Sequence, residues 1–520
     1  MRKIFILILL LTTVVNIYGQ GLPVPADATL NSLFPNENFR HVIADVLGDN
    51  ANLTGQALSN ALAEITQLNA SRQRLGSNMA GLSYLIGLIH LDLSDNGFIQ
   101  IIDISTMPNL TTLNISFNGL TGLDVSNNPN LMELDVSHNR RLLTLDLNNN
   151  FNLISLKAVS NGLIHLDINR LTNLNYLNVS RNRLTALDIS NNLNLTHLDA
   201  SLNRLTNLDV ARHINLITLN VNNNRLTNLK VNNLSNLTEL SVGNNYLTEL
   251  NINNLINLTR LSIGNSPFAV PDIDDFTFDM LFTENLTEPS VRYSQLPNLD
   301  ISNNINLTYL DMSGNGVTGI SLSNFANLTA LWLDDNQLTN IDLSNNVNLT
   351  LLSIRDNNLI NIDVSNLVNL RDLDVSQNPL TNLDVSNNIN LISLSAQRTF
   401  LEALNLSSNT NLTSLQVGSN RLTSIKVNHL TNLTWLSIRN SNLINLKIDN
   451  LINLVRLDVY NNQLTTIDLS NNNNLQTVDL GNNQLTGLDI TGLTRLSHLW
   501  VGGNPLGRQD IVGMRDDITF

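Results

Sequence analysis

The sequence predicts a solenoid, one elongated stack of coils in which each coil adds a short parallel strand to a common wall. Three observations predict it. A phrase of 21 residues recurs from Ile65 to Leu506, the phrase contains the same half-phrase twice, and its apolar positions are nearly all Leu, Ile or Val. Aromatic residues make up only 4% of the chain, so the core consists of many thin, similar layers. Chain length alone would suggest roughly three or four globular domains. A fixed internal period overrides that, because stacked repeats form one unit.

The unit is seen clearly at Leu174 to Asn194. Leu174, Leu177, Val179 and Asn182 spell L-x-x-L-x-V-x-x-N; Leu184, Leu187, Ile189 and Asn192 repeat the phrase, and Leu195 opens the next coil. In each half, positions 1, 4, 6 and 9 point inward, and the alternation at 4 and 6 is that of a strand, which turns positions 3 and 5 to solvent. Asn at position 9 suits a corner, where its amide bonds the turning backbone and its stacked neighbours. The second half repeats the strand phrase, so the far wall is expected to be extended, with few helices.

Coils are expected to start at Ile65, Leu88 and Leu110, then near every 21 residues to Leu258, and again from Leu286 to Leu496. The longer step from Leu258 to Leu286 places an insertion in the half-coil Phe268 to Asn285, which holds Pro271, Asp272, Asp274, Asp275 and Phe276.

The ends leave the pattern. Residues 1–19 read as a secretory signal, with Arg2 and Lys3 before the apolar run Ile4 to Val15 and a small residue at Gly19. Residues 20–64 read as a helical N-terminal cap. Phe39, Val42, Ile43 and Val46 mark one face of a helix begun near Pro35 and Asn36, and Thr54 opens another with Leu58, Leu62 and Ile65 on one side. The stretch Asp49 to Gly55 between them lacks the carboxylates of a calcium loop. The solenoid is thus 65–506, with its insertion within 268–285, and 507–520 forms a C-terminal cap or tail.

This phrase resembles the nested 21-residue leucine-rich repeats of exported bacterial proteins, the IRREKO class. The segment FPNENFRHVI also looks like the helical cap preceding such repeats. The resemblance implies a leucine-rich-repeat solenoid with parallel β on the concave face, extended chain or short strands on the convex side, and a role in binding. It supplies no catalytic residues. Absence of cysteine points to a bacterial exported chain that closes its ends by packing rather than by disulfides.

The net charge of −15 and the lack of any basic run argue against nucleic acid and anionic membranes. No cofactor is implied. On one wall Asp124, Asp146, Asp167, Asp188 and Asp209 stack, as do Asp342, Asp363 and Asp384. Like charges in successive layers need compensation, either by calcium or by hydrogen bonds from neighbouring Ser and Thr. Lys230, Lys426 and Lys447 interrupt the ladder and argue against a metal channel.

Candidate ligand-binding residues are those breaking the monotony of the outward positions. Trp332 and Trp500 stand at position 5, Trp435, Tyr176 and Tyr309 at position 3, and Tyr460 at position 7. Two clusters follow. One joins Tyr309, Asp311, Trp332, Asp334, Asp335, Arg355, Asp356, Asp372 and Asp374; the other joins Trp435, Arg439, Arg456, Asp458, Tyr460, His498 and Trp500. Scattered aromatics on a solubilising face are the plain alternative. Asp372 and Asp374 have a spacing a glycosidase could use, but no pocket is implied, and the histidines of this wall (His90, His197, His498) lie far apart. The expectation is a monomeric, non-enzymatic, secreted or surface protein holding a protein partner. A glycan on the tryptophans and a ligand-free spacer are the alternatives.

Overall fold

A computed structural model of the chain describes residues 21–76, 78–99, 101–264 and 295–518. The expected signal at 1–19, the swollen half-coil Phe268 to Asn285 and the coil start at Leu286 lie outside the described residues. The chain divides into two units, Met1–Asn257 and Leu258–Phe520.

The first unit begins with helices α1 (Leu30–Leu33), α2 (Glu37–Leu47) and α3 (Gly55–Ala63). Asn36 starts α2 by accepting the Phe39 amide at 3.0 Å, the side-chain cap a helix N-terminus requires. The same side chain donates to the carbonyls of Leu75 and Asn78, so the cap is clasped to the first coil. The buried face of α2 is Phe39, Ile43 and Leu47; Val46, expected on that face, is exposed. The apolar stripe follows i, i+4, i+8, and Val46 falls one residue off it. In α3, Leu58 and Leu62 are fully buried, as their spacing predicts.

Three-residue strands follow, from Gln67–Asn69 to Glu239–Ser241, one per coil. Each pairs in parallel with the next in strict register; Tyr176 faces His197, Leu177 faces Leu198 and Asn178 faces Asp199. The central Leu of each strand points inward and is buried.

The position-9 asparagine closes the first corner. Asn182 donates to the carbonyls of Ala158 (2.7 Å), Val179 (3.0 Å) and Ser180 (3.2 Å), and accepts the Leu163 amide at 3.1 Å. One side chain thereby satisfies groups of its own turn and of the coil before. The preceding residue, position 8, is left-handed in coil after coil: Arg181, Leu202, Asn223 and Asn244 have φ of 56°, 53°, 57° and 52°.

Two further asparagine columns stand at the other corner. Position 19 is buried: Asn192 donates to Ile168 O at 3.0 Å and Leu171 O at 2.8 Å, while its Oδ1 has no partner among the described residues. His213 fills that place in the next coil, with its Nε2 3.0 Å from Ile189 O. Position 21 is exposed, and Asn215 and Asn236 donate to the carbonyls of Leu193 and Ile214 in the coil before.

The second wall is extended, as expected, but carries little ladder. A single backbone bond links successive coils there, such as Arg204 N–H to Leu184 O at 2.8 Å. Its stacked aspartates each close a local turn. Asp124, Asp188 and Asp209 accept the amide two residues on at 2.9–3.0 Å. The Ser126 hydroxyl and amide hold Asp124 below the usual carboxylate range, and those of Ser190 do the same for Asp188. The negative column is therefore stabilised by hydrogen bonds rung by rung.

The second unit repeats this build from Arg260–Ser262 to His498–Trp500. Arg260 pairs directly with Tyr309, Leu261 with Leu310 and Ser262 with Asp311. These two strands are direct neighbours in the ladder, and Leu296 and Ile301, which precede the second of them, are both buried. Thr399 and Ser441 stand in for the corner asparagine in their coils, and the one proton of the Thr399 hydroxyl lies between Ala396 O (3.2 Å) and Asn420 Oδ1. On the second wall, among the described residues, a strand pair forms only where Leu488–Asp489 pairs with Ile511–Val512.

Candidate binding surface

The two sequence-read clusters both fall in the second unit, on the strand wall. In the cluster nearer Arg260, the Tyr309 and Trp332 rings lie 4.7 Å apart at 40°. The Arg260 guanidinium sits 4.2 Å from the Tyr309 ring centroid, and Ala330 and Leu351 pack alongside. These aromatics were expected in solvent. They are instead buried, Tyr309 at 8% and Trp332 at 7% exposure. Register explains part of this, since adjacent outward residues on parallel strands are close enough to cover one another.

Asp311 is fully buried, another departure from the expected exposure. Its carboxylate accepts the Ser313 amide at 3.0 Å and the Ser262 hydroxyl at 3.2 Å. Burial outweighs those bonds and pushes its pKa up to about 6. A Cβ on Gly264 would stand 2.2 Å from the Asp311 carboxylate, so this carboxylate requires glycine there. Burial also raises Asp334, which accepts from the Ser353 hydroxyl (2.6 Å) and the Arg355 amide (2.8 Å).

The remaining members separate from this core. Asp335 occupies the left-handed corner position at φ 52°. Arg355 spends its guanidinium on Gln377 Oε1, at 3.0 and 2.6 Å. Asp372 is raised by desolvation, while Asp374 accepts the Ser376 amide at 2.8 Å. Arg260 and Gly264 were not singled out in the sequence; an Arg at position 3, directly before the broken period, was the available signal.

The second cluster is contiguous. Register places Trp435 beside Arg456, Arg456 beside Thr477, and Thr477 beside His498. The parallel row runs Ser437, Asp458, Asp479, Trp500. The Arg456 guanidinium lies 5.2 Å from the Trp435 ring and that of Arg439 lies 5.5 Å from Tyr460, both within cation–π range. Arg439 also stands 3.7 Å from Asp458 Oδ2. Asn482 donates to the Tyr460 hydroxyl at 2.8 Å. His498 and Trp500 stack at 5.7 Å, and Trp500 keeps 43% of its surface exposed.

Two glycines make room for this arrangement. A Cβ on Gly418 would come within 2.8 Å of the Arg439 carbonyl, and one on Gly481 within 3.0 Å of the Tyr460 ring. Asp479, next to Asp458, is raised by desolvation first and by its charged neighbour second. Gly418, Gly481, Asp479 and Asn482 were missed because, in the sequence, they look like ordinary variation within the phrase.

In the first unit some carboxylates of this wall have close polar or cationic neighbours. Asn114 donates to Asp92 at 3.1 Å, and Asp135 stands opposite Lys157. Among the described residues no group of three or more His, Cys, Asp or Glu could hold a metal ion. No helix among them is long and apolar enough to cross a membrane.

Comparison with known proteins agrees with the fold. The Leucine Rich Repeat family matches residues 109–131, 306–328 and 474–496. No curated protein matches the sequence. Among solved structures, the chain is similar to a leucine-rich-repeat protein of Leptospira interrogans, with 26% identity over 74% of this chain and 94% of that one, at a TM-score of 0.56. It is also similar to YopM of Yersinia enterocolitica (21% identity, 93% and 98% covered, TM-score 0.59). A third is the ectodomain of an Arabidopsis thaliana receptor kinase in complex with Casparian strip integrity factor 2 (20% identity, 89% and 68% covered, TM-score 0.52). The chain carries leucine-rich repeats, and its fold is the leucine-rich-repeat solenoid.

Proposed function

We propose that this chain is an exported, non-enzymatic binding protein that holds a protein partner on the strand wall of its second unit. The observation carrying this reading is the contiguous surface Trp435, Arg456, Arg439, Tyr460, His498 and Trp500. Aromatic and arginine side chains are the residues most enriched at interface hot spots, and here each is held in place by a neighbour. The plant ectodomain of the same fold is seen with a protein factor bound, which supports a protein as the ligand class.

The geometry favours this over a sugar platform. Sugar stacking needs an open aromatic face. Trp332 is buried and Trp435 is covered by Arg456, which leaves Trp500 as the open one of the three. Capture of partners from surface extracts by the immobilised chain tests the proposal, with Arg456→Ala and Trp500→Ala as variants. The expected result is loss of at least about tenfold in retained partner for each variant, a hot-spot-sized effect, with unchanged melting temperature. Full retention by both variants would overturn the site, and binding on a glycan array that survives in protein-free extracts would overturn the ligand class.

A further inference from the structure

The last coil differs from those before it at its outer edge. In the stack each coil hands two amides forward. Val459 donates to Asp479 O at 2.9 Å and Asn461 to Gly481 O at 2.8 Å; Leu480 and Asn482 then donate to Trp500 O and Gly502 O, both at 2.7 Å. The equivalent donors of the last coil are the amides of Val501 and Gly503. Among the described residues neither has an acceptor.

Residues 505–518, the described chain beyond them, do not return to this edge. Ile511–Val512 pairs with Leu488–Asp489, and Ile490 donates to Val512 O at 2.9 Å. Arg515 reaches the carbonyls of Leu493 and Leu496 at 2.9 and 2.8 Å. Residues 507–518 therefore close the second wall and the corner, and among the described residues none pairs with the outer edge of His498–Trp500. An unpaired strand edge is a template for another strand.

The geometry points to strand addition: an extended segment of the protein partner pairs in parallel with His498–Trp500, its carbonyls accepting from Val501 and Gly503. Parallel addition is the pairing this wall already uses, in which the carbonyls of positions 5 and 7, such as those of Asp479 and Gly481, accept from donors so placed in the coil before. An extended polypeptide supplies those acceptors through its backbone, the recognition mode known as β-augmentation. The edge is continuous with the Trp435 to Trp500 surface, and a side chain on the added strand would meet the exposed Trp500 ring as a cross-strand neighbour. The inference rests on the reading that this wall receives a protein, and names how its backbone is held.

The test is hydrogen exchange by mass spectrometry on the full chain, read in fragments spanning 497–505. The probe is a synthetic peptide copying residues 475–486, the segment that already pairs with this strand from its inner side. A second peptide is N-methylated at the residues matching Gln476 and Thr477, whose amides would face the edge. The expected result is fast exchange at Val501 and Gly503 in the free chain, slowed about tenfold or more by the plain peptide and unaffected by the methylated one. Slow exchange in the free chain, protection that appears only on self-association at high concentration, or equal protection by both peptides would each overturn strand addition. This readout uses no natural partner, so its failure leaves the surface proposal standing, while retained capture by Arg456→Ala and Trp500→Ala overturns the surface alone.

Discussion

Two asparagines ten residues apart, identical in the sequence phrase, have different physical duties. Asn182 satisfies three carbonyls and one amide in a buried corner. Asn192 serves two carbonyls and leaves its own Oδ1 buried without a partner among the described residues. At the latter place other coils carry Leu171 or Leu234. Asn192→Leu is therefore expected to change stability by less than about 1 kcal/mol, since the orphaned oxygen leaves with the lost bonds, whereas Asn182→Leu strands several groups and costs upwards of ~3 kcal/mol. Urea unfolding of both variants checks the contrast. The sequence made the first duty legible and hid the second, because both read simply as a conserved-spacing Asn within the phrase. Position 8 was hidden altogether. Leu202 holds φ 53° with an exposed side chain, where the equivalent residues of the next two coils are Asn223 and Asn244. Leu202→Asn should raise stability by up to about 1 kcal/mol, because asparagine tolerates the left-handed region better than leucine does. A lowered melting temperature for this variant would contradict the strain.

At the scale of elements, the cap and the strand wall show how far periodicity reaches. Asn36 ends the chain's approach to α2 and grips the first coil through Leu75 and Asn78, so it joins two elements that share no repeat. Asn36→Ala removes the helix cap, worth about 1 kcal/mol, together with the clasp. The expected outcome is earlier proteolysis between residues 21 and 64 while the coils stay resistant, visible by limited digestion. The cap's helices were readable from apolar spacing; the clasp was not, because it is a contact between residues 39 positions apart. The strand wall divides in the same way. Outward placement of Tyr309, Trp332, Trp435 and Trp500 followed from the phrase, but exposure depends on what the neighbouring strands present. Trp435 lies under Arg456, and Tyr309 is sandwiched between Arg260 and Trp332. A period tells which way a side chain leaves the backbone, and only the register of adjacent coils tells what it meets.

Across the whole molecule the two kinds of aspartate pull stability in opposite directions with pH. On the second wall, hydrogen bonds hold Asp103, Asp124, Asp188, Asp342, Asp363 and Asp384 below 3.8. A depressed folded pKa means stability that is present above the unfolded value and lost as pH falls through the folded one. On the strand wall, burial raises Asp199, Asp311, Asp334, Asp372 and Asp479. A raised folded pKa means stability that is full below 3.8 and lost as pH climbs through the folded value, which for Asp311 is about 6. That shift of about two units corresponds to ~3 kcal/mol at neutral pH for this buried group. The net charge of −15 adds self-repulsion on the same side. Stability is therefore expected to peak near pH 4, decline towards about pH 6 to 7, and fall steeply in stronger acid. Asp311→Asn removes the buried charge and keeps an acceptor for the Ser313 amide. It should flatten the decline between pH 4 and 7 while leaving the acid limb unchanged, because that limb belongs to the second wall. Melting temperatures of the wild type and the variant measured from pH 3 to 8 decide it, and parallel curves across that range would show that the Asp311 carboxylate is not the group that opposes its own burial.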